Sequence, residues 1–429
     1  MNRKTILFLL IFTSLLFSQE FVNIITVDGV INPVATEYIR RSIEKSEQEG
    51  AECLIILLDT PGGLMASMRE ITQFILTAEI PVVVYVYPPG AHAGSAGVFI
   101  TLSAHIAAMA PGTNIGAASV VSMGMGQADS ANTTMMRKAT NDAVAFIKSI
   151  AEQRGRNVDW AEKAVTEAAA ISATEALKLN VIDLIATDLD TLLIMIDGKE
   201  VETTGGKKVL HTRQTERRYL EMSFQDKVLN VISDPTIAYI LFIIGLYGLF
   251  FELYIPGAIF PGVIGAICLI LAFYALHTLP VNYAGILLIL LAIILFLLEI
   301  KITSYGILTI GGVISFVLGS IMLYNSDAPF LKVSWEVILA VTICTALFFV
   351  VALGLGIKAQ SRKPTIGREY MIDAEVTALE DFMDGQGQVM HEGEIWKAVS
   401  EDAVKKGDRL KVVAMKGLTL KVVKISDGA

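Results

Sequence analysis

The sequence predicts three parts of different class: an α/β domain on a parallel sheet, a section of membrane-spanning helices, and a small all-β barrel. Three observations carry this. From residue 21, continuous apolar runs alternate with amphipathic stretches of helical spacing. Residues 236–357 then hold long runs almost free of charge, and residues 366–426 read as short strands separated by turns. The chain has 429 residues and is 53% hydrophobic, too apolar for one soluble domain, with the excess concentrated in the middle section.

The start, "MNRKTILFLLIFTSLLFSQE", places Arg3 and Lys4 ahead of an apolar stretch too short to span a bilayer comfortably. It is expected to be a signal peptide over residues 1–19. No cysteine follows it, which excludes a lipoprotein.

The α/β domain is expected over residues 20–205. "FVNIITVDGVI", "AECLIILLD" and "PVVVYV" are strands, with "PVATEYIRRSIEKSEQEG" and "MASMREITQFILTA" as the helices between them. Apolar runs of this kind, separated by helices, indicate parallel strands buried on both faces. A long helix is expected over about 131–154, ended by Gly155, then "NVDWAEKAVTEA". In "SATEALKLNVID", the spacing of Ser172 and Glu175 matches a capping box.

Residues 206–234 read as a polar linker. A transmembrane domain is expected over 235–358, from apolar runs at 236–253, 258–278, 281–299, 305–324 and 335–357, each near the ~20 residues a spanning helix needs. An odd number of spans puts the flanking domains on opposite sides. Lys358, Arg362, Lys363 and Arg368 place the C-terminal part in the cytoplasm. The signal segment puts the N-terminal domain outside, while Arg217 and Arg218 ahead of the first span pull the other way. "FELYIPGAIFPGVIGAI" and "LEIKITSYGILTIGGVI" form a partial repeat, whose Glu252 and Glu299 read as interfacial charges or as parts of a paired re-entrant structure.

The tail, 365–429, has five short strands in about 60 residues, the signature of a small OB-like barrel. Leu410, Val412 and Ala414 alternate with outward positions, as do Leu418, Leu420 and Val422 after a turn at Lys416-Gly417. It lacks the aromatics and basic groove of a nucleic-acid binder, and the net charge of −9 agrees; a protein-binding module is expected. The three cysteines and five histidines are scattered, with neither disulfide nor metal-ligand spacing.

One loop, "YPPGAHAGSAGVFI" at 87–100, interrupts the strand pattern with nearly bare backbone and a single hydroxyl, Ser95. A serine is a nucleophile only beside a base and near donors for the developing oxyanion. A helix beginning at Ser95 would turn the Ala96 amide outward, and "LLDTPGGL" offers Gly62 and Gly63 at a neighbouring strand end. The same serine would serve equally well as a simple helix cap. For the base, His92 and His105 lack a local acidic orienter, Arg137 stays protonated, Lys148 sits ten residues beyond Lys138 on a different, solvated helix face, and composition does not itself select Lys138.

The ordered set "LLDTPGG", "GSAG", the lysine of "KATNDAVAFIKSIAEQRGRN" and "EALKLNVID" resembles the NfeD family of membrane-bound serine proteases along the whole chain. The resemblance implies a ClpP/crotonase-like protease domain and a Ser-Lys dyad, with Ser95 as nucleophile and Lys138 as a base kept neutral by dry surroundings. It implies oxyanion donors at Gly62 or Gly63 and at Ala96, and no cofactor or metal. It further implies a hydrophobic peptide substrate, a stomatin-like membrane partner and a homo-oligomer. His92 stands where a small residue is expected. The alternative is a non-proteolytic scaffold that assembles or regulates a stomatin/flotillin-like complex. A transporter is disfavoured because the spans lack buried charge pairs and broken helices in matching halves.

Overall fold

Alternate residues of the first strand bury on opposite sides: Ile25 and Val27 face one cluster, Val22 and Ile24 another. That two-sided burial defines the N-terminal domain in the computed structural model. The structure describes residues 20–120, 130–254, 259–279, 281–302, 304, 306–324, 332–360 and 368–425. The expected signal segment lies outside these, as do residues 121–129 and Arg362 and Lys363 of the basic tail.

Chain order runs β1 (Phe21–Asp28), α1 (Pro33–Glu49), β2 (Leu54–Asp59), α2 (Met65–Thr77), β3 (Val82–Val86), β4 (His92–Ala93) and α3 (Ala96–Ser103). Then come β5 (Ile106–Met109), β6 (Asn114–Gly116), α4 (Ser130–Gln153), α5 (Val158–Thr166), β7 (Ala170–Ser172), α6 (Ala173–Lys178), β8 (Leu184–Ile185) and α7 (Leu189–Ile196). Local signals set the boundaries. Asn32 accepts the Ala35 N–H at 2.9 Å ahead of Pro33, and Gly50 closes α1 at φ 69°. Ser172 caps α6 by accepting from Glu175 N, the first half of the expected capping box.

The main sheet has the order β11-β1-β2-β3-β5-β8, and every pairing in it is parallel. Helices α1 to α5 contribute to the cluster on one face, while Tyr85, Leu192, Leu193 and Ile196 pack on the other. Each fully buried Ile or Leu contributes about 1.5–3 kcal/mol of transfer free energy. A second sheet, β4-β6-β7, pairs β4 with β6 in parallel and β6 with β7 antiparallel. This is the expected α/β class, a parallel sheet covered on both faces.

Residues 206–234 are not a linker. They carry β10 (Gly206–Val209), paired with β9 (Glu200–Thr203), then β11 (Glu216–Tyr219), the edge strand of the main sheet, and α8 (Phe224–Ile232). Their polarity comes from position: β11 lies at an edge and all four of its residues are exposed.

The five apolar runs are helices α9 (Pro235–Tyr254), α10 (Ile259–Thr278), α11 (Tyr283–Lys301), α12 (Ile307–Met322) and α13 (Trp335–Gln360). Pro235–Glu252 and Ile259–His277 are long and apolar enough to cross a membrane; the apolar stretches of the other three are shorter. Tyr239 and Ser320 share a buried hydrogen bond at 2.8 Å. Glu299 is not a free interfacial charge: it is buried and accepts from Ser304 Oγ at 2.7 Å and Gly306 N at 2.9 Å, closing the turn that follows α11.

The chain forms two compact units, residues 1–295 with 307–344, and 296–306 with 345–429. The second contains α14 (Arg368–Met371) and a closed barrel of β12 (Glu375–Ala378), β13 (Gln386–His391), β14 (Glu394–Val399), β15 (Arg409–Lys416) and β16 (Thr419–Lys424). The order β12-β13-β14-β16-β15 is that of a five-stranded OB-like barrel. Val376, Val389, Ala398, Leu410, Val412, Leu420 and Val422 fill it. A register shift between Val412 and Ala414 interrupts the expected alternation, leaving Ala414 only half-buried.

Candidate active site

β2 and β3 are adjacent and parallel, so the loops leaving their C-terminal ends meet at one edge of the sheet. After β2 comes Thr60-Pro61-Gly62-Gly63; after β3, the 87–95 loop. An isolated bridge joins Thr60 to Ala93, with Thr60 N donating to His92 O at 2.7 Å and Gly94 N to Thr60 O at 2.9 Å. Small residues permit this approach. A Cβ on Gly63 would lie 2.0 Å from Ile31 O, and one on Gly94 would lie 2.4 Å from His92 Nε2. His92 therefore packs beneath the loop, and its backbone N–H binds Asp59 Oδ1 at 2.9 Å.

Ser95 sits at the N-cap position of α3 but does not cap it: its side chain accepts no hydrogen bond from the helix. Its backbone is strained, at φ 45° and ψ −105°, a cost of order 1–3 kcal/mol for a non-glycine residue. Its N–H donates to Ala117 O at 2.6 Å. The hydroxyl is thus held at a helix N-terminus yet left out of the helix's own bonding.

The expected oxyanion donors separate cleanly. Gly62 N is committed to Thr60 Oγ1 at 3.0 Å. Among the described residues, Gly63 N and Ala96 N have no acceptor. Gly63, Ser95 and Ala96 all line one cavity of about 240 Å³, with Met65, Met68, Phe99, Ala118, Ser119, Val120, Ala139 and Ala143. Helix α2 begins at Met65 and α3 at Ala96, both without side-chain caps, so two positive helix ends converge there. Apart from Ser119 the rest of the lining is apolar, suited to an extended hydrophobic chain, while the two helix ends suit a developing negative charge.

Lys138 is carried by α4, whose Ala139 and Ala143 form a wall of that cavity. The expected dry surroundings are absent: Lys138 is exposed, and no hydrogen bond joins it to Ser95 among the described residues. Lys148 is excluded, since its ammonium binds Glu162 at 2.6 Å and that pairing raises its pKa. His105 is also excluded. It accepts from Val82 N at 3.1 Å, and burial, then Arg154 and Arg156, lower its pKa to about 3.

Two arginines of "EQRGRN", which the sequence marks only as a helix end, secure the far end of α3. Arg156 Nη1 donates to Leu102 O and, at 2.9 Å, to Ala104 O, while Arg154 Nε donates to Ser103 O at 2.8 Å. Buried Arg156 also pairs with Asp183 at 2.7 Å. Arginine at a helix C-terminus satisfies orphan carbonyls and complements the macrodipole. Among the described residues, no group of three or more His, Cys, Asp or Glu is arranged to hold a metal ion.

An α/β domain on a parallel sheet, apolar helices and an OB-like barrel in one chain define a membrane protein with further domains before and after its membrane section. Sequence models agree part by part: NfeD1b, N-terminal domain, over residues 21–194; NfeD integral membrane domain over 236–355; and NfeD-like C-terminal, partner-binding domain over 368–424. The chain belongs to the NfeD family. It is 37% identical to "Membrane-bound protease PH1510" of Pyrococcus horikoshii, over 97% of this chain and 96% of that one. It is 28% identical to "Membrane protein NfeD1b" of Bacillus subtilis, over 79% of this chain and 75% of that one. Among solved structures it is similar to the 1510-N membrane protease specific for a stomatin homolog from Pyrococcus horikoshii. That similarity is 38% identity over 51% of this chain and 100% of that one, at a TM-score of 0.44.

Proposed function

We propose that the protein is a membrane-anchored serine endopeptidase that cleaves hydrophobic peptide segments with a Ser-Lys dyad. The observation that carries the reading is a strained serine at a helix N-terminus whose hydroxyl leaves its own helix uncapped and lines an apolar cavity. The resemblance to a membrane-bound protease over nearly the whole chain supports it.

In this reading Ser95 Oγ attacks the scissile carbonyl while Lys138 Nζ takes its proton. Gly63 N–H and Ala96 N–H hold the oxyanion. Collapse expels the amine, which receives the proton from Lys138, and water then hydrolyses the ester at Ser95. Lys138 must be neutral to act, which requires desolvation. An apolar substrate segment lying along Ala139 supplies that cover, and so does a second copy of the chain in a homo-oligomer. The substrate and partner are a stomatin-like membrane protein, in keeping with what the archaeal protease structure is named for. The catalytic domain lies outside the cytoplasm and the barrel within it.

The exposure of Lys138 favours a second reading, a scaffold that assembles a stomatin/flotillin-like complex without cleaving it. Cleavage of an apolar peptide by the full chain in proteoliposomes separates the two. A peptidase loses turnover in Ser95→Ala and in Lys138→Ala; undiminished cleavage by Lys138→Ala contradicts the dyad.

A further inference from the structure

Helix α8 presents three faces, and only two are covered. Toward the α/β domain, Asp226 pairs with Arg41 at 2.6 Å and Asn230 accepts from Asn32 at 2.9 Å. Just upstream, Leu220 O accepts from Tyr38 OH at 2.5 Å and Leu220 N binds Ile24 O at 2.9 Å, so the approach to α8 is fixed to the same domain. Toward the apolar helices, Ile232 is buried in a cluster with Ala238 of α9 and Ala275 of α10. The third face carries Phe224, Val228 and Val231, which are 81%, 39% and 58% exposed. Their i, i+4, i+7 spacing stacks them in one stripe.

Chain geometry dictates what covers that stripe. Helix α8 ends at Ile232 and α9 starts at Pro235, leaving Ser233 and Asp234 between them. Two residues reach about 7 Å at most. The exposed valine at 231 therefore lies within one short step of a helix long and apolar enough to cross a membrane. The nearby basic residues are neutralised within the protein, Lys227 by Glu221 at 2.7 Å, Arg218 by Glu216 at 2.8 Å and Arg217 by Asp190, so the apolar stripe and its closeness to α9 carry the inference.

We propose that α8 is an interfacial helix. Phe224, Val228 and Val231 insert into the lipid surface, while Arg41–Asp226 and Asn32–Asn230 hold the α/β domain against that helix. Short amphipathic helices of this kind bury their apolar face about 5–10 Å into the headgroup boundary. The catalytic domain is then docked on the membrane rather than tethered loosely above it. This stands apart from the peptidase chemistry and does not depend on it.

The test uses the full chain in phosphatidylcholine vesicles. Phe224→Trp and, as an off-stripe control, Gln225→Trp are each read as a difference from the parent, which has Trp160, Trp335 and Trp396. With lipid brominated near the headgroup, the tryptophan at 224 should be quenched at least about twofold more than that at 225, and acrylamide should show the reverse order. Quenching at 224 by acrylamide alone means the stripe faces water and overturns the proposal. Shielding from both quenchers means protein covers it, and overturns it equally. If Phe224→Trp fails to fold, Val231→Trp reads the same stripe.

Discussion

The backbone N–H of Ser95 is bound to Ala117 O at 2.6 Å, so the serine's own amide is removed from the donors facing the cavity. The same bond ties the Ser95 loop to Ala117, which directly precedes the 118–120 segment that forms another cavity wall. With Gly62 N also occupied, by Thr60 Oγ1, the free donors reduce to Gly63 and Ala96.

Gly63→Ala should therefore be costly in a specific way. The new methyl would meet Ile31 O at 2.0 Å and displace the Gly63 amide. Loss of one oxyanion donor lowers kcat about 10²–10³-fold, with KM little changed because the interaction belongs to the transition state. Steady-state kinetics on an apolar peptide checks this; a parent-like kcat removes Gly63 from the oxyanion hole.

Ala139 forms part of the wall nearest Lys138 in sequence. Ala139→Phe should partly fill the 240 Å³ cavity and reduce kcat/KM for peptides with bulky apolar residues by about 10-fold or more. Peptides with glycine or alanine at that position should suffer less. Competition between the two peptide classes measures the ratio, and an unchanged ratio contradicts the assignment of this wall to substrate.

Acid should destabilise the α/β domain through His105. Its folded pKa of about 3, depressed by burial and by Arg154 and Arg156, lies below the unfolded value of about 6.5. The unfolded chain takes the proton first, so the contribution is intact above pH ~6.5 and is lost progressively as pH falls toward 3, by up to about 1.4 kcal/mol per pH unit. Melting curves at pH 7.5 and 5 should show a larger drop for the parent than for His105→Gln. Equal drops would mean His105 carries no part of it.

The hairpin of α9 and α10 depends on a close backbone contact. A Cβ at Gly265 would lie 2.7 Å from Leu249 N, whereas one at Gly311 would meet, among the described residues, only Leu295 Cδ1 at 3.7 Å. Gly265→Ala should lower thermal stability in detergent by about 1–3 kcal/mol, and Gly311→Ala should leave it near the parent. Equivalent melting of the two variants would contradict the packing.

Much of this architecture is legible in the residues because burial on both faces leaves an unambiguous mark. β2 and β3 are nearly pure Leu, Ile and Val, and their order through helices forces parallel pairing. The "GSAG" loop is legible only as a turn of small residues, because a serine there reads equally well as a helix cap, and it takes the structure to show that Ser95 does not cap α3. The sheet β4-β6-β7 is not, because its strands of two or three residues are too short for any period. β11 escapes for the opposite reason, being an exposed edge that reads as a polar linker. Choosing Gly63 over Gly62 needs the Thr60 hydroxyl, a contact no spacing reveals. The exposure of Lys138 is what a helix lysine shows by itself; the dry surroundings are implied by the family resemblance, and α4 alone does not provide them in the described chain.

The most direct measurement is the rate at which a serine-directed phosphonate modifies the full-length protein, followed by mass mapping of the adduct. The account predicts one adduct, on the peptide containing Ser95, absent in Ser95→Ala and formed about 10²–10⁴-fold more slowly in Lys138→Ala. An adduct on any other serine, or formation at the parent rate in Lys138→Ala, would contradict it.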